Sequence, residues 1–445
     1  MRWATFLLFS VALATTLFCG SISLASDDGK PAPPYLSFGI KRSKHISLGD
    51  ESYVALGGEL RERTEYYLAF GFGLDGQGKE LYLLHRLMLS ALFFLGNSLE
   101  VFMEVGNHLQ NGKVKPLLST HVDKGDLQQG YMNLSVTGIA STLRVGRQEV
   151  SFGTRRLISL REARNVRRSF DGFRLSLTGI ENTTVDVVAL RPVALKKGYF
   201  DDKADGNQSL WGVYGTAMSK PGIGVDAYYL GYANENARYI GVAGREVRHS
   251  IGTRIFGSAN GLDWNAEIIG QLGTVAQQNI LAWAFSSDAG YAVAGLPWSP
   301  RLGIKTVLAS GDNADTDRQQ KTFHPLFSRL GLNEAGLIYS ANIADFQPTF
   351  SVSPVKGLNI VTSWEFVWRQ TLADAIYTGP GAPVTGTAGN AGRFIGKQFG
   401  IESVWRDGAH LEIKSSYAHF QPGSALKAAG GRNNDYAMFS VAYRF

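Results

Sequence analysis

The chain has 445 residues, one cysteine, 18% charged residues and a formal net charge of +6. A hydrophobic content of 44% excludes an intrinsically disordered chain, and the charged fraction lies below the roughly 25% of typical soluble domains. A single cysteine excludes a disulfide scaffold and any cysteine-based zinc or iron–sulfur centre. Length alone allows two or three domains, but a closed β-barrel uses this many residues in one unit.

Met1-Arg2 is a short basic start, Trp3 to Cys19 is apolar, and Ser23-Leu24-Ala25 places small residues at −3 and −1. This pattern predicts a secretory signal peptide over 1–25, cut between Ala25 and Ser26. A transmembrane anchor is the competing reading. A lipoprotein signal is disfavoured because Phe18 precedes Cys19 where a small residue is needed. The exported chain then has no cysteine, with 26–52 as a periplasmic lead-in. Beyond the signal no run of about 18 uncharged apolar residues occurs; Leu81 to Leu95 comes nearest and is broken by His85-Arg86. The remaining way to span a membrane is a closed barrel, in which every backbone group bonds to a neighbouring strand.

From residue 53 the hydrophobic period is two. Leu99, Val101, Met103 and Val105 alternate with Glu100, Phe102 and Glu104; Phe173, Leu175 and Leu177 alternate with Arg174 and Ser176. Leu262, Trp264, Ala266 and Ile268 oppose Asp263, Asn265 and Glu267, and Leu411, Ile413 and Tyr417 oppose Glu412, Lys414 and Ser416. At the C-terminus Ala437, Phe439, Val441, Tyr443 and Phe445 share one face, and Met438, Ser440 and Arg444 the other. Strands are expected to start near 53, 81, 98, 127, 141, 170, 183, 208, 223, 248, 261, 279, 301, 337, 357, 392, 409 and 435. Short turns at Gly96-Asn97, Gly138-Ile139, Gly179-Ile180, Ala259-Asn260 and Asp407-Gly408 mostly alternate with long links at 107–126, 152–169, 193–207, 311–336, 371–391 and 421–434. Short periplasmic turns and long outer loops are the habit of outer-membrane barrels. The expected fold is therefore all-β: a single transmembrane antiparallel β-barrel of about 18 strands over 53–445, with both termini in the periplasm. A soluble sandwich or propeller would also alternate, but explains neither the terminal Phe445 nor the aromatics Trp364, Trp368 and Tyr377 near strand ends. Eighteen strands enclose an aqueous channel.

Motifs of chemistry are sparse. Gly71-Phe-Gly-Leu-Asp-Gly76 matches G-x-G-x-x-G, but it lies between strands with no following helix and reads as a loop. Neither G-x-S-x-G, H-E-x-x-H nor a Walker loop occurs, and the eight histidines are scattered. No cofactor is expected, and no constellation marks a barrel hydrolase, the remote enzymatic alternative. Asp312, Asp315 and Asp317 could ligate Ca²⁺ through carboxylate oxygens; a solvated acidic loop is the alternative. From Arg144 to Arg174 there are nine arginines, three acids and no lysine. Arginine keeps its charge and offers a planar fork to carboxylates. Arg61 and Arg63 share parity with Glu59 and Glu65, and Arg86 follows on the next strand. Arg61, Arg63, Arg86, Arg144 and Arg174 are the candidates for an anion pathway along the lumen. A ladder of Arg–Glu/Asp pairs, or lipopolysaccharide contact by outer loops, would use the same residues.

Several segments resemble one family. Leu56-Gly-Gly-Glu-Leu-Arg-Glu-Arg63, Val145-Gly-Arg-Gln-Glu-Val-Ser-Phe-Gly-Thr-Arg-Arg-Leu-Ile158 and Asn165-Val-Arg-Arg-Ser-Phe-Asp-Gly172 carry the likeness, followed by Phe200-Asp-Asp202, Leu210-Trp-Gly-Val-Tyr214, Tyr228-Tyr-Leu-Gly231, Ser310-Gly-Asp312 and Thr322-Phe-His-Pro-Leu-Phe327. Together they resemble the alginate-export family of outer-membrane barrels. The resemblance implies an eighteen-stranded barrel passing an anionic polysaccharide through an arginine-rich constriction. It carries over Arg61, Arg63, Arg86, Arg147, Arg156, Arg167 and Arg168, the last four at the rim or on a loop folded inward. A general porin importing small anions is the alternative. The implied partners are an anionic polysaccharide or other anionic solute, outer-membrane lipid and lipopolysaccharide, the barrel assembly machinery and periplasmic export proteins, but no nucleic acid. Among the periplasmic turns even the longest, around Asp288–Pro300, is too modest to plug a pore.

Overall fold

The computed structural model describes residues 45–49 and 51–445, apart from 77, 97, 113–116, 137–139, 221, 314–316, 330–331, 333–337 and 380. The expected signal peptide with Cys19, most of the lead-in and the turn at Gly138-Ile139 lie outside the described residues. Eighteen strands form the wall. They are β1 (Ser52–Tyr67), β2 (Glu80–Leu95), β3 (Leu99–Asn111), β4 (Asp123–Val136), β5 (Ser141–Gln148), β6 (Phe170–Ile180), β7 (Thr183–Ala194), β8 (Gln208–Lys220) and β9 (Ile223–Tyr239). The circuit continues with β10 (Val242–Ala259), β11 (Leu262–Val275), β12 (Gln278–Ala292), β13 (Arg301–Ala309), β14 (Ile343–Val352), β15 (Leu358–Trp368), β16 (Phe394–Asp407), β17 (Leu411–Pro422) and β18 (Asn434–Arg444). Each strand pairs antiparallel with the next, and β18 pairs with β1 from Glu59↔Arg444 to Tyr67↔Tyr436, so the sheet closes without an edge. No described helix is long and apolar enough to cross a membrane.

The period of two in the sequence is the period of the wall. On β1, Glu59, Arg61, Arg63 and Glu65 are buried, while Leu56 and Leu60, of the opposite parity, are 52% and 43% exposed. Met103, Phe173, Leu262, Ile268 and Tyr417 are exposed in the same way, and Glu104, Glu267 and Glu412 are buried. A continuous belt of exposed Leu, Ile and Phe is the surface that lipid covers.

Two strand starts differ from expectation by more than four residues. β10 begins at Val242, not 248, because β9 and β10 are joined by a two-residue turn, with Gly241 at φ +73°. That hairpin extends past the apolar belt with Glu235 and Arg245 paired on it at 3.0 Å, so its sequence lacks the dyad pattern. β14 begins at Ile343, not 337, because 338–342 belong to the preceding loop. The turn expected around Asp288–Pro300 is Val293–Pro300, since Asp288 lies on β12. The G-x-G-x-x-G segment is a 3-10 turn, Phe70–Gly76, with Phe72 fully buried against Phe420.

Candidate functional site

Two long loops from the outer end fold into the barrel. The first, 149–169, follows β5. Phe152 stacks on Tyr214 with centroids 4.7 Å apart and 8° between planes, and Tyr214 stacks on Tyr228. Gly153 sits at φ +49°, and a Cβ there would lie 2.4 Å from the Tyr214 hydroxyl, so the approach requires glycine. On the other side of this loop Asn165, fully buried, donates its amide to the carbonyls of His85, Leu109 and His121 at 2.9, 3.2 and 2.9 Å. The second loop, 310–342, lies along β10 to β12. Gln271 donates to the His324 carbonyl at 2.8 Å and accepts from its amide at 3.0 Å, and Arg248 donates to the Thr322 carbonyl.

These loops meet across the lumen. Ile158 and Phe327 form a parallel bridge. Ser159 N–H donates to the Phe327 carbonyl at 3.0 Å, Phe327 N–H to the Leu157 carbonyl at 2.8 Å, and Arg329 N–H to the Arg155 carbonyl at 3.0 Å. Arg168 fastens the seam by donating to the carbonyls of Ser159, Phe327 and Ser328. The pore is thus narrowed by loops from the outer end.

Seven of the nine arginines singled out from the sequence are paired with carboxylates. On the wall, Arg63 meets Glu65 at 2.5 Å, Arg147 meets Asp171 at 2.8 Å and Asp126 at 3.7 Å, and Arg174 meets Asp186 at 2.7 Å. Arg156 meets Glu267 at 3.6 Å. Arg61, Arg86 and Arg167 converge on Glu162 at 3.4, 2.6 and 3.7 Å, with Arg86 also on Glu59, and Arg167 on Glu104 and Glu149. Two more make contacts with neutral groups. Arg168 uses the seam carbonyls, and Arg144 donates to Asn133 at 2.8 Å and lies 3.8 Å over the Tyr131 ring. Arg144 and Arg174 stand directly opposite each other on β5 and β6. Much of the arginine set is therefore an ion-pair ladder that also anchors the first loop.

The loop charges respond to this packing. Burial alone would raise the Glu162 pKa, but Arg86, Arg167 and Arg61 outweigh it and hold the carboxyl well below the usual carboxylate range. Burial pushes Glu149 up to about 8, with Glu104 and Glu162 adding to it against Arg167. Burial lowers Arg156 and Arg168 to about 10.

The seam separates two compartments. The outer one, about 520 Å³, is lined by Arg161, Arg168, Arg238, Tyr232, Tyr239 and His324 among others. The inner one, about 270 Å³, runs between the loops and the wall formed by β13 to β18 and β1. Its lining carries eight basic side chains (Arg61, Arg63, Arg155, Arg161, Arg329, Arg444, Lys305 and Lys414) against three acidic ones, Glu162, Glu402 and Glu412. Sequence reading missed six of the eight. Arg155 and Arg161 lie in the same basic run as the chosen residues, and only their position in space sets them apart.

Of the calcium candidates, Asp315 lies outside the described residues. Asp317 pairs with Lys321 at 2.5 Å, and the Asp312 amide donates to Asp374. Among the described residues a different trio, Asp126, Asp201 and Asp202, brings carboxylate oxygens within 4.8 Å of one another. Arg147, 3.7 Å from Asp126, and the Asp202 amide, 2.9 Å from the same carboxylate, account for that cluster.

A closed barrel with a lipid-facing apolar belt, a charged lumen and constricting outer loops is an outer-membrane channel. The chain belongs to the alginate export family, whose model matches residues 52–440, and its place is the bacterial outer membrane. No curated protein sequence matches it. Among solved structures, a BenF-like porin from Pseudomonas fluorescens Pf-5 is similar with a TM-score of 0.61 at 11% identity, covering 88% of this chain and 98% of that one. Pseudomonas aeruginosa OccK2 (OpdF) in complex with glucuronate is similar with a TM-score of 0.57 at 13% identity over 88% and 98% of the two chains. Pseudomonas aeruginosa OccK11 (OpdR) is similar with a TM-score of 0.56 at 11% identity over 89% and 96%.

Proposed function

We propose that this channel passes an anionic polysaccharide of the alginate type, without enzymatic chemistry and without a bound energy source. The observation that carries the reading is the inner compartment's lining of eight basic and three acidic side chains. Fixed positive charge lowers the entry barrier for anions and raises it for cations. Salt screens that field over about 8 Å at physiological ionic strength, so charges on the pore wall act within its width. Several weak arginine contacts in series suit a polyanion better than one tight site, because each must also release its ligand. The family's description, alginate export, supports a polymer moving outward; periplasmic export proteins would then deliver it, and the barrel machinery and lipopolysaccharide would be its membrane partners. In purified protein reconstituted in planar bilayers, the reversal potential across a KCl gradient should show anion preference. Charge reversal of Arg63 with Lys414 to Glu should abolish or invert that preference while the barrel still folds. An unmoved potential would remove the main support for the reading.

A second reading, uptake of small organic anions, is favoured by the seam, which narrows the bore. OccK2, a fold neighbour, has been solved with glucuronate. Locking the seam separates the two. In the Ile158→Cys/Phe327→Cys double variant, oxidation should stop polymer passage and spare chloride current if the loops must part for polymer. The only native cysteine, Cys19, precedes the expected cleavage site. Equal polymer passage in the oxidised and reduced forms would show that the loops need not separate.

A further inference from the structure

We propose that the guanidinium of Arg161 is the centre of a discrete carboxylate-binding site at the seam, taking the acid group of a uronate-type sugar as it moves between the outer and inner compartments. The proposal rests on the anion-channel reading and deepens it.

Arg161 lines both compartments, a position it alone shares among the basic residues around them. Its guanidinium has no hydrogen bond or ion pair with any described residue, and its Nε is shielded from solvent without a partner. The side chains acting on it most strongly are cations, Arg168 and Arg164, while Tyr339 is the one group that favours its charge. This sets it apart from Arg61, Arg86 and Arg167, which share Glu162. Burial first, and then repulsion from Arg168 and Arg164, push the Arg161 pKa well below the ordinary arginine value.

The backbone fixes the group in place. Arg161 holds φ +61°, a conformation that costs a non-glycine residue energy and persists only where its surroundings impose it. Its amide donates to Ser159 Oγ at 3.0 Å, and its carbonyl accepts from the Arg164 amide at 3.0 Å. The energetic direction is clear. A partly buried cation among like charges is destabilising until an anion joins it. A carboxylate fits a free guanidinium fork with two parallel hydrogen bonds. Arg168, tied to seam carbonyls, adds fixed positive charge without competing for the ligand. Tyr232, Gln208 and Asn234 line the outer compartment, where sugar hydroxyls would lie.

The test uses the purified full barrel in planar bilayers, with sodium glucuronate as the probe. Wild type should show a saturable, concentration-dependent block of chloride current. Arg161→Gln should weaken that block at least tenfold, and Arg161→Lys should weaken it less, because lysine keeps the charge and loses the fork. Arg245→Gln, on the exposed outer hairpin, should leave the block unchanged. Heat-modifiable migration confirms that each variant is folded. A full block in folded Arg161→Gln, or no saturable block in an anion-selective wild type, overturns the site and leaves the channel reading intact. Loss of anion selectivity in wild type would instead overturn the channel reading. Calorimetric titration of glucuronate into the detergent-solubilised barrel then decides the site on its own: binding lost in Arg161→Gln supports it, and binding unchanged overturns it.

Discussion

Deleting Phe445 should reduce folded barrel in the outer membrane at least tenfold, measured as the heat-modifiable band. Phe445 completes the closure. Its amide donates to the Gly58 carbonyl at 3.1 Å, and its carbonyl accepts from the Gly58 amide at 2.9 Å. Its ring occupies the space above Gly58, where an added Cβ would lie 2.6 Å from the Phe445 ring and 2.5 Å from the Met88 carbonyl. Without the residue, β1 and β18 expose unpaired backbone groups at the seam of the barrel, and lipid offers no replacement hydrogen bonds. Phe445→Asp should behave like the deletion, because it puts a charge where an aromatic faces lipid, and Phe445→Trp should be tolerated. Gly58→Val attacks the same contact from the opposite strand and leaves the terminal residue intact. If Gly58→Val assembles normally while the Phe445 deletion fails, the terminal residue acts as a recognition signal rather than through its seat on Gly58. Normal assembly of the deletion removes both roles.

The wall was legible in the sequence because lipid imposes a strict rule on it. Residues such as Leu262, Trp264, Ala266 and Ile268 must face hydrocarbon, so the dyad repeat survives and the strand count follows. Where a strand leaves the membrane the rule lapses, so β10 begins six residues before its dyad repeat; β14 begins six residues after the expected start because Ile338, Tyr339 and Ala341 are apolar residues buried within the preceding loop. Parity also placed Arg61, Arg63, Arg144 and Arg174 on the buried face of the wall. What parity could not reveal is that Glu162 lies within reach of Arg61, about a hundred residues earlier in the chain, or that Ile158 pairs with Phe327. In sequence Arg161, Arg167 and Arg168 look alike, yet one is paired with acids, one is tied to carbonyls and one has neither. That distinction arises only when the loops fold inward, and it is set by Gly153, Asn165 and the aromatic stack on Phe152.

Replacing Glu162 with Gln should raise single-channel conductance and strengthen anion preference. One carboxylate serves Arg86 at 2.6 Å, Arg61 at 3.4 Å and Arg167 at 3.7 Å. The variant leaves Arg86 with Glu59, and Arg167 with Glu104 and Glu149, but Arg61 keeps only neutral acceptors such as Asn165 and the Arg164 carbonyl. Breaking a buried pair on one side costs about 3–5 kcal/mol. Eighteen hydrogen-bonded strands should withstand that loss, so the damage should concentrate in the loop that Glu162 anchors. Loop 149–169 should become more susceptible to protease added from the outer side, and current noise should rise. Selectivity shifts because a fixed negative charge leaves a lining already rich in cations; at an effective dielectric of about 20, one charge 4 Å away is worth about 4 kcal/mol before screening. Acid should not reproduce the effect. The Glu162 pKa is depressed in the folded barrel, so its stabilising charge is present above the ordinary carboxylate value of about 4.3 and is lost only as pH falls through the lower folded value. Wild type at pH 5 should therefore still hold the loop as at pH 7.5, whereas the variant should be loose at both. Unchanged conductance, selectivity and protease resistance in Glu162→Gln would show that the aromatic stack on Tyr214 and the Asn165 amide, not the shared carboxylate, hold the loop across the lumen.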